Sequence, residues 1–154
     1  MRPGLTIRPA AGGDLERVTA CAQAAYALYV ARIGKEPAPM VADFQAQIAA
    51  GQVYVGEADV AVAGFVVLYP CRDHLHVENV AVFPARQGLG LGRALLAFAE
   101  KEARRRGLAA IELYTNVKMT ENLALYPRLG YREIDRREEA GFSRVFYRKE
   151  IGPT

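Results

Sequence analysis

Val80-Ala81-Val82-Phe83-Pro84-Ala85-Arg86-Gln87-Gly88-Leu89-Gly90-Leu91-Gly92-Arg93-Ala94-Leu95-Leu96 is the stretch on which the fold turns. An apolar strand-like segment ends at a proline, passes through Gly88, Gly90 and Gly92, and opens onto the three- and four-residue periodicity of an amphipathic helix. A strand that enters a helix through such a turn presents unpaired backbone N–H groups and the positive end of the helix dipole. An anion, above all a phosphate, suits that position. The glycines let a ligand approach the backbone closely and permit dihedrals that a Cβ would forbid.

The spacing narrows the choice of phosphate ligand. A Walker turn requires Gly-Lys-Ser/Thr, and here Gly92 is followed by Arg93-Ala94. The dinucleotide fingerprint G-x-G-x-x-G also fails, because the glycines run G-x-G-x-G and position 93 is arginine. Glu112 lies at a suitable distance for a ribose contact but falls in mid-strand. Taken alone, a glycine-rich turn is equally compatible with a tight connection that binds nothing.

Working outward, Leu5, Ile7 and Pro9 alternate with polar neighbours as a first strand, ended by Gly12-Gly13, after which Asp14 can cap a helix. Apolar residues then recur from Leu15 through Val18, Cys21, Ala22, Ala25, Leu28 and Tyr29, which predicts a helix to about Ile33 before Gly34. A proline-bearing loop, Gly34 to Met40, leads to a short helix over Asp43 to Ala50. Three strands follow, at about Gln52 to Glu57, Val60 to Tyr69 and His74 to Phe83, the first two joined by a tight turn near Ala58-Asp59. The glycine-rich turn opens a helix from Leu91 to Arg106, with Leu91, Ala94, Leu95, Phe98 and Ala99 as its buried stripe and Gly107 as its left-handed cap. A strand at Ala109 to Thr115, a short helix at Thr120 to Leu129, and strands at Tyr131 to Arg136 and Phe142 to Glu150 complete the chain. This order predicts an α/β or α+β sandwich around one mixed sheet, in a single domain over residues 1–154.

Composition excludes several classes. With 51% hydrophobic and 24% charged residues the chain is neither disordered nor collagen-like. Its longest apolar runs, such as Val60 to Tyr69, fall short of the roughly 20 residues of a membrane span, and no signal-like stretch follows Met1, so a cytoplasmic protein with no membrane partner is expected. Cys21 and Cys71 stand apart, without C-x-x-C or zinc-ligand spacing, so no metal and no cysteine nucleophile is expected. The net charge of +3 is mild, and no basic stripe interleaved with aromatics accompanies it, which argues against nucleic acid.

With these residues in view, the chain resembles the GNAT superfamily of acyl-CoA-dependent N-acyltransferases, whose signature Q/R-x-x-G-x-G/A is met by Gln87-Gly88-Leu89-Gly90-Leu91-Gly92. The likeness extends to the preceding strand, Glu78 to Pro84, to a second motif over Asn122-Leu123-Ala124-Leu125-Tyr126-Pro127-Arg128-Leu129-Gly130-Tyr131, and to the order of elements. It implies a mixed, largely antiparallel sheet of about seven strands with helices on both faces. It also implies acetyl-CoA as acyl-donor cosubstrate, an amine acceptor on a small molecule or peptide, and frequent homodimers.

Position by position, the resemblance implies that the amides of Gly88, Leu89, Gly90, Leu91, Gly92 and Arg93 hold the CoA pyrophosphate, with Gln87 lending its side chain to the turn. The pantetheine arm would pair along Val80, Ala81 and Val82, an N–H near Val80 receiving the thioester oxygen. Asn122 would contact the cofactor and Tyr126 would protonate the departing thiolate. A tyrosine, protonated at neutral pH, has the chemistry for that role. The ammonium of the acceptor must lose a proton before attack, and Glu78 is the first candidate base, with His76 on the same face of the strand as runner-up. Tyr26, Tyr29, Arg32, Lys35, Glu36 and Met40 are candidates to line the acceptor site, with the Ala140-Gly141-Phe142 turn closing it. Two departures stand out: many members place an asparagine seven residues before the tyrosine, where this chain has Met119, and Pro127 directly follows Tyr126 and disfavours helical geometry there. A CoA-binding module without transfer activity is the alternative expectation.

Overall fold

The computed structural model describes residues 5–152. Its strands are β1 (Leu5–Pro9), β2 (Val53–Ala58), β3 (Ala61–Cys71), β4 (His74–Val82), β5 (Ala110–Asn116), β6 (Arg132–Glu139) and β7 (Phe142–Glu150). Its helices are α1 (Leu15–Tyr26), α2 (Tyr29–Ile33), α3 (Phe44–Ala49), α4 (Leu91–Arg105) and α5 (Thr120–Arg128). The strands form one seven-stranded sheet in the order β1-β2-β3-β4-β5-β7-β6. The β4–β5 pairing is parallel, while β1–β2, β2–β3, β5–β7 and β6–β7 are antiparallel, so the sheet is mixed and largely antiparallel, as expected.

The chain groups into two compact units, one of residues 5–68 and 79–98 and the other of 69–78 and 99–152. In the first, strand alternation sends Val53 and Val55 to one face of β2 and Tyr54 and Gly56 to the other. Val53 and Val55 join Phe65 and Val67 of β3 in a buried cluster with Val18, Cys21, Ala22 and Ala25 of α1 and Phe44 of α3. The opposite face receives α4: Leu91 and Leu95 pack over Gly56, and Phe98 meets Tyr54 with ring centres 4.9 Å apart. Helices therefore cover both faces.

In the second unit the registers Leu113↔Tyr147 and Tyr114↔Phe146 divide the sheet the same way. Lys149 pairs with Glu100 of α4 at 3.0 Å and Tyr147 packs on Tyr126 of α5, so both helices lie on the face of Leu113 and Tyr147. Tyr114 and Phe146 point the other way. At the sheet edge, Arg132 to Glu138 of β6 are all exposed, and acids and arginines dominate the strand.

Three local expectations need correction. The single helix predicted from Leu15 to Ile33 is two, α1 and α2, divided at Ala27-Leu28, where the apolar stripe runs on but the hydrogen-bond ladder does not. Asp14 occupies the N-cap position of α1 without capping it, because its carboxylate is turned back to the Ala11 N–H at 2.7 Å and to Arg8 at 2.8 Å. The hairpin turn between β2 and β3 falls at Asp59-Val60, both with left-handed φ (55° and 60°), one residue later than predicted.

Gly64 shows how closely β3 and β4 approach. A Cβ there would lie 2.6 Å from the Ala81 carbonyl oxygen and 3.3 Å from Leu91 Cδ2, and the first of these is backbone that cannot step aside. Gly64→Ala should therefore lower stability by about 1–3 kcal/mol, the usual cost of overpacking. A urea titration should show a lower midpoint at unchanged slope; an unchanged midpoint would mean that the strands separate freely here.

Candidate active site

The glycine-rich turn adopts the conformation its composition favours. A 3-10 turn over Pro84–Arg86 follows β4, and the backbone then passes through Gly88 at φ 81° and Gly90 at φ 87° into α4. Only glycine takes such dihedrals freely. Nothing lies within 4 Å of where a Cβ would stand at either position, so these glycines are required by conformation and leave the surface of the turn open. The N–H of Ala94 bonds the Gly90 carbonyl at 3.0 Å, which leaves the N–H groups of Leu91, Gly92 and Arg93 as the orphan donors of the helix start. Gln87 donates from Nε2 to the Val82 carbonyl at 3.1 Å and braces the turn against its own strand. Fifteen residues of α4 align their dipoles behind those donors. The residues present fit a pyrophosphate.

On β4, His76 and Glu78 do share a face, with Nε2 and Oε1 3.2 Å apart. Two residues that the sequence reading missed complete this cluster. Tyr69 of β3 donates its hydroxyl to Glu78 Oε1 at 2.9 Å, and Tyr114 of β5 donates to Oε2 at 2.5 Å. The His76 ring lies between the two tyrosine rings, 5.2 Å from Tyr69 and 6.0 Å from Tyr114. Burial pushes the Glu78 carboxyl up, but hydrogen bonds from His76, Tyr114 and Tyr69 outweigh it and hold the group at about 2. Burial and the bond to Glu78 push both phenols up, so they stay protonated and keep donating. Alternation on β3 and β5 gave a signal for a shared sheet face, but not which side chains would converge.

On α5, Tyr126 is buried, its ring 5.7 Å from Tyr131 and 5.6 Å from Tyr147. The helix runs through Pro127 to Arg128, and the Tyr126 carbonyl accepts the Leu129 and Tyr131 N–H groups at 3.0 Å each. Because Pro127 falls in the last turn, its missing donor removes one bond without ending the helix at Tyr126. Asn122 turns inward, its amide donating to Thr115 Oγ1 at 3.0 Å. Tyr126 stands on the face of the second unit that bears Tyr147, whereas Tyr114, against which His76 stacks, points to the opposite face.

The expected acceptor-lining residues are dispersed in role. Met40 is buried and its carbonyl accepts from Gln23, which makes it part of the first unit's packing. Tyr26 places its hydroxyl 2.8 Å from Asn79 Oδ1 and 3.0 Å from the Val80 carbonyl, tying the end of α1 to the strand expected to carry the thioester. Burial pushes the Cys21 thiol up to about 12, which removes it as a nucleophile. Among the described residues no group of three or more His, Cys, Asp or Glu is arranged to hold a metal ion, and no helix is long and apolar enough to cross a membrane.

The fold and the turn together define a mixed α/β sheet with an anion cradle at the start of α4, and comparison with known proteins places that architecture. The solved PaiA N-acetyltransferase of Thermoplasma acidophilum, in complex with coenzyme A, superposes with a TM-score of 0.81 at 19% identity, over 95% of this chain and 98% of that one. The model of the acetyltransferase (GNAT) family matches residues 18–131, and the chain belongs to that family. An aminoalkylphosphonate N-acetyltransferase of Salmonella typhimurium is 35% identical over 79 residues, 47% of this chain and 51% of that protein. A ribosomal protein bS18-alanine N-acetyltransferase of Escherichia coli is 37% identical over 71 residues, 46% of this chain and 48% of that one. The chain thus matches about half the length of these curated relatives.

The Glu78 cluster has a pH signature. A depressed folded pKa means that the carboxylate stabilises fully above its unfolded value of about 4.3, and that this contribution is lost as pH falls towards about 2. Between pH 5 and 2 the wild type should lose stability faster than Glu78→Gln, the two converging near the acid end. Urea titrations across that range check it, and a constant gap between them would show that these donors do not hold the carboxylate.

Proposed function

We propose that this chain is an N-acetyltransferase that moves an acetyl group from acetyl-CoA to a primary amine by direct attack. The observation that carries this is the start of α4, where two left-handed glycines and a row of orphan N–H groups form a cradle of the kind a pyrophosphate occupies. Membership of the GNAT family supports CoA as the particular ligand. The N–H groups of Gly88 to Arg93 hold the pyrophosphate, Gln87 keeps the turn in shape, and Val80 to Val82 align the pantetheine arm. Asn122 serves by fixing the start of α5 to Thr115. Two free cysteines agree with a reducing, cytoplasmic setting.

Of the two candidate bases, His76 is the better. The oxygens of Glu78 already accept from three donors, and a carboxylate held at about 2 is a poor acceptor for an ammonium proton. Glu78 instead orients the imidazole, and Tyr69 and Tyr114 orient Glu78. Tyr126 is the acid for the departing thiolate. In direct attack the amine nitrogen bonds the thioester carbon as the carbon–sulfur bond breaks, the ammonium proton going to His76 and the thiolate taking its proton from Tyr126.

Acetyl-CoA should raise the melting temperature, since a ligand bound only by the folded state adds about 2.7 kcal/mol at a hundredfold excess over its dissociation constant. NAD should do much less, and Gly90→Val, which puts a β-branched residue at φ 87°, should abolish the CoA shift. A normal CoA shift in that variant would reduce the turn to a mere connection.

Tyr126→Phe should leave CoA binding nearly intact and cut turnover by about 10²–10⁴, the usual loss for a positioned proton donor. His76→Gln should remove the acidic limb of the pH–rate profile, a limb that Glu78, ionised throughout, cannot supply. Full turnover in Tyr126→Phe would reassign the acid, and a limb that survives His76→Gln would reassign the base. CoA binding with no acyl transfer to any amine would favour the binding module over the enzyme.

A further inference from the structure

Arg144, the third residue of β7, is a buried charge with uncommitted donors. Its side chain is 9% exposed, and among the described residues its hydrogen bond runs from Nη1 to Glu139 Oε1 at 2.7 Å. Burying a guanidinium is costly unless its N–H groups find partners. With Nη1 engaged, the edge formed by Nε and Nη2 remains, a planar pair of donors that matches the two oxygens of a carboxylate or phosphonate.

The place of this edge is informative. The guanidinium carbon lies 4.3 Å from the ring centre of Tyr114 and 5.5 Å from that of Phe142. Tyr114 is also the ring against which His76 stacks and whose hydroxyl holds Glu78. The proposed base and the uncommitted fork are thus neighbours of a single aromatic ring. The ladder partners of Arg144 do not neutralise it: they are Asn116 on β5 and Arg137 on β6. Arg137, itself held by Asp135 and Glu139, rests 3.8 Å over Phe146. Like charges directly across a strand pair work against stability. Glu139 offsets that repulsion by meeting both arginines, one with each carboxylate oxygen, so an oxyanion arriving at Arg144 takes up part of the same task.

We propose that the Nε–Nη2 edge of Arg144 anchors an oxyanion of the acceptor, which makes the acceptor a short amine bearing a carboxylate or phosphonate group. The amine end rests on the acetyl-transfer function above; the anion end rests on Arg144. Tyr114 is the spacer between the two ends, and Glu139 competes with the incoming oxyanion for the guanidinium.

Matched pairs of amines test it, with CoA release measured at saturating acetyl-CoA: β-alanine against β-alaninamide, and 2-aminoethylphosphonate against ethanolamine. The charged member of at least one pair should have the higher kcat/KM by at least about tenfold, chiefly through KM, and the pair that shows it identifies the oxyanion. Arg144→Gln should bring that ratio to about one, Arg144→Lys should lower it partway by keeping the charge without the fork, and Glu139→Gln should raise it. Should Arg144→Gln not fold, the other two variants carry the test. Ratios near one in the wild type, or a ratio indifferent to these substitutions, overturn the proposal. If no amine is acetylated, titration calorimetry with propionate and propylphosphonate decides: heat lost in Arg144→Gln upholds the anchor while the transfer function falls, and no heat, or heat that survives the substitution, overturns the anchor.

Discussion

The carboxylate of Glu78 ties three strands together, and the candidate chemistry is arranged around that knot. Tyr69 reaches it from β3, Tyr114 from β5, and His76 from two residues earlier on β4. A buried carboxylate is tolerated only when its lone pairs are met, and here each oxygen has a phenol. The same bonds that make burial affordable drain the group of basicity. What remains is a rigid acceptor that fixes the imidazole beside it, so the positioning of His76 follows from the satisfaction of Glu78.

The turn before α4 meets the opposite requirement. Glu78 is surrounded by donors, while the helix start is a set of donors without acceptors. Left-handed dihedrals at Gly88 and Gly90 keep those N–H groups together without a side chain over them. Gln87 braces the loop against its own strand by donating to the Val82 carbonyl. Such preorganisation costs little at the moment of binding, because the backbone already holds its bound form.

Most of the architecture was legible in the sequence. The strands and helices on either side of Gly88 to Gly92 fall where periodicity places them, because each buries one face and so carries a clear period. The division of the first helix at Ala27-Leu28 was not legible, since no glycine or proline marks it and the apolar stripe continues across it. Of the candidate site residues, the glycine turn, His76, Glu78 and Tyr126 could be proposed from motif and alternation. Tyr69, Tyr114 and Arg144 could not. Their importance lies in convergence across β3, β5 and β7, which depends on strand order and register, and a single strand's sequence carries neither. Glu78 illustrates the limit: its residue type and its place on β4 suggest a base, but that two phenols from other strands would meet its carboxylate could be learned only from strand order.

The edge of the sheet carries a consequence for handling the protein. Along β6, Arg136 pairs with Glu133, Arg137 with Asp135 and Glu139, and Arg132 with Glu150, so the strand shields its outer rim with its own opposite charges. A second molecule that tried to extend the sheet would have to disrupt those pairs and strip their water before gaining a ladder. Electrolyte weakens this barrier, because exposed pairs lose most of their mutual attraction and their hydration fields once the screening length drops to about 3 Å near 1 M salt. Concentrated salt, as used for precipitation or for hydrophobic chromatography, therefore weakens the guard that these pairs set along β6.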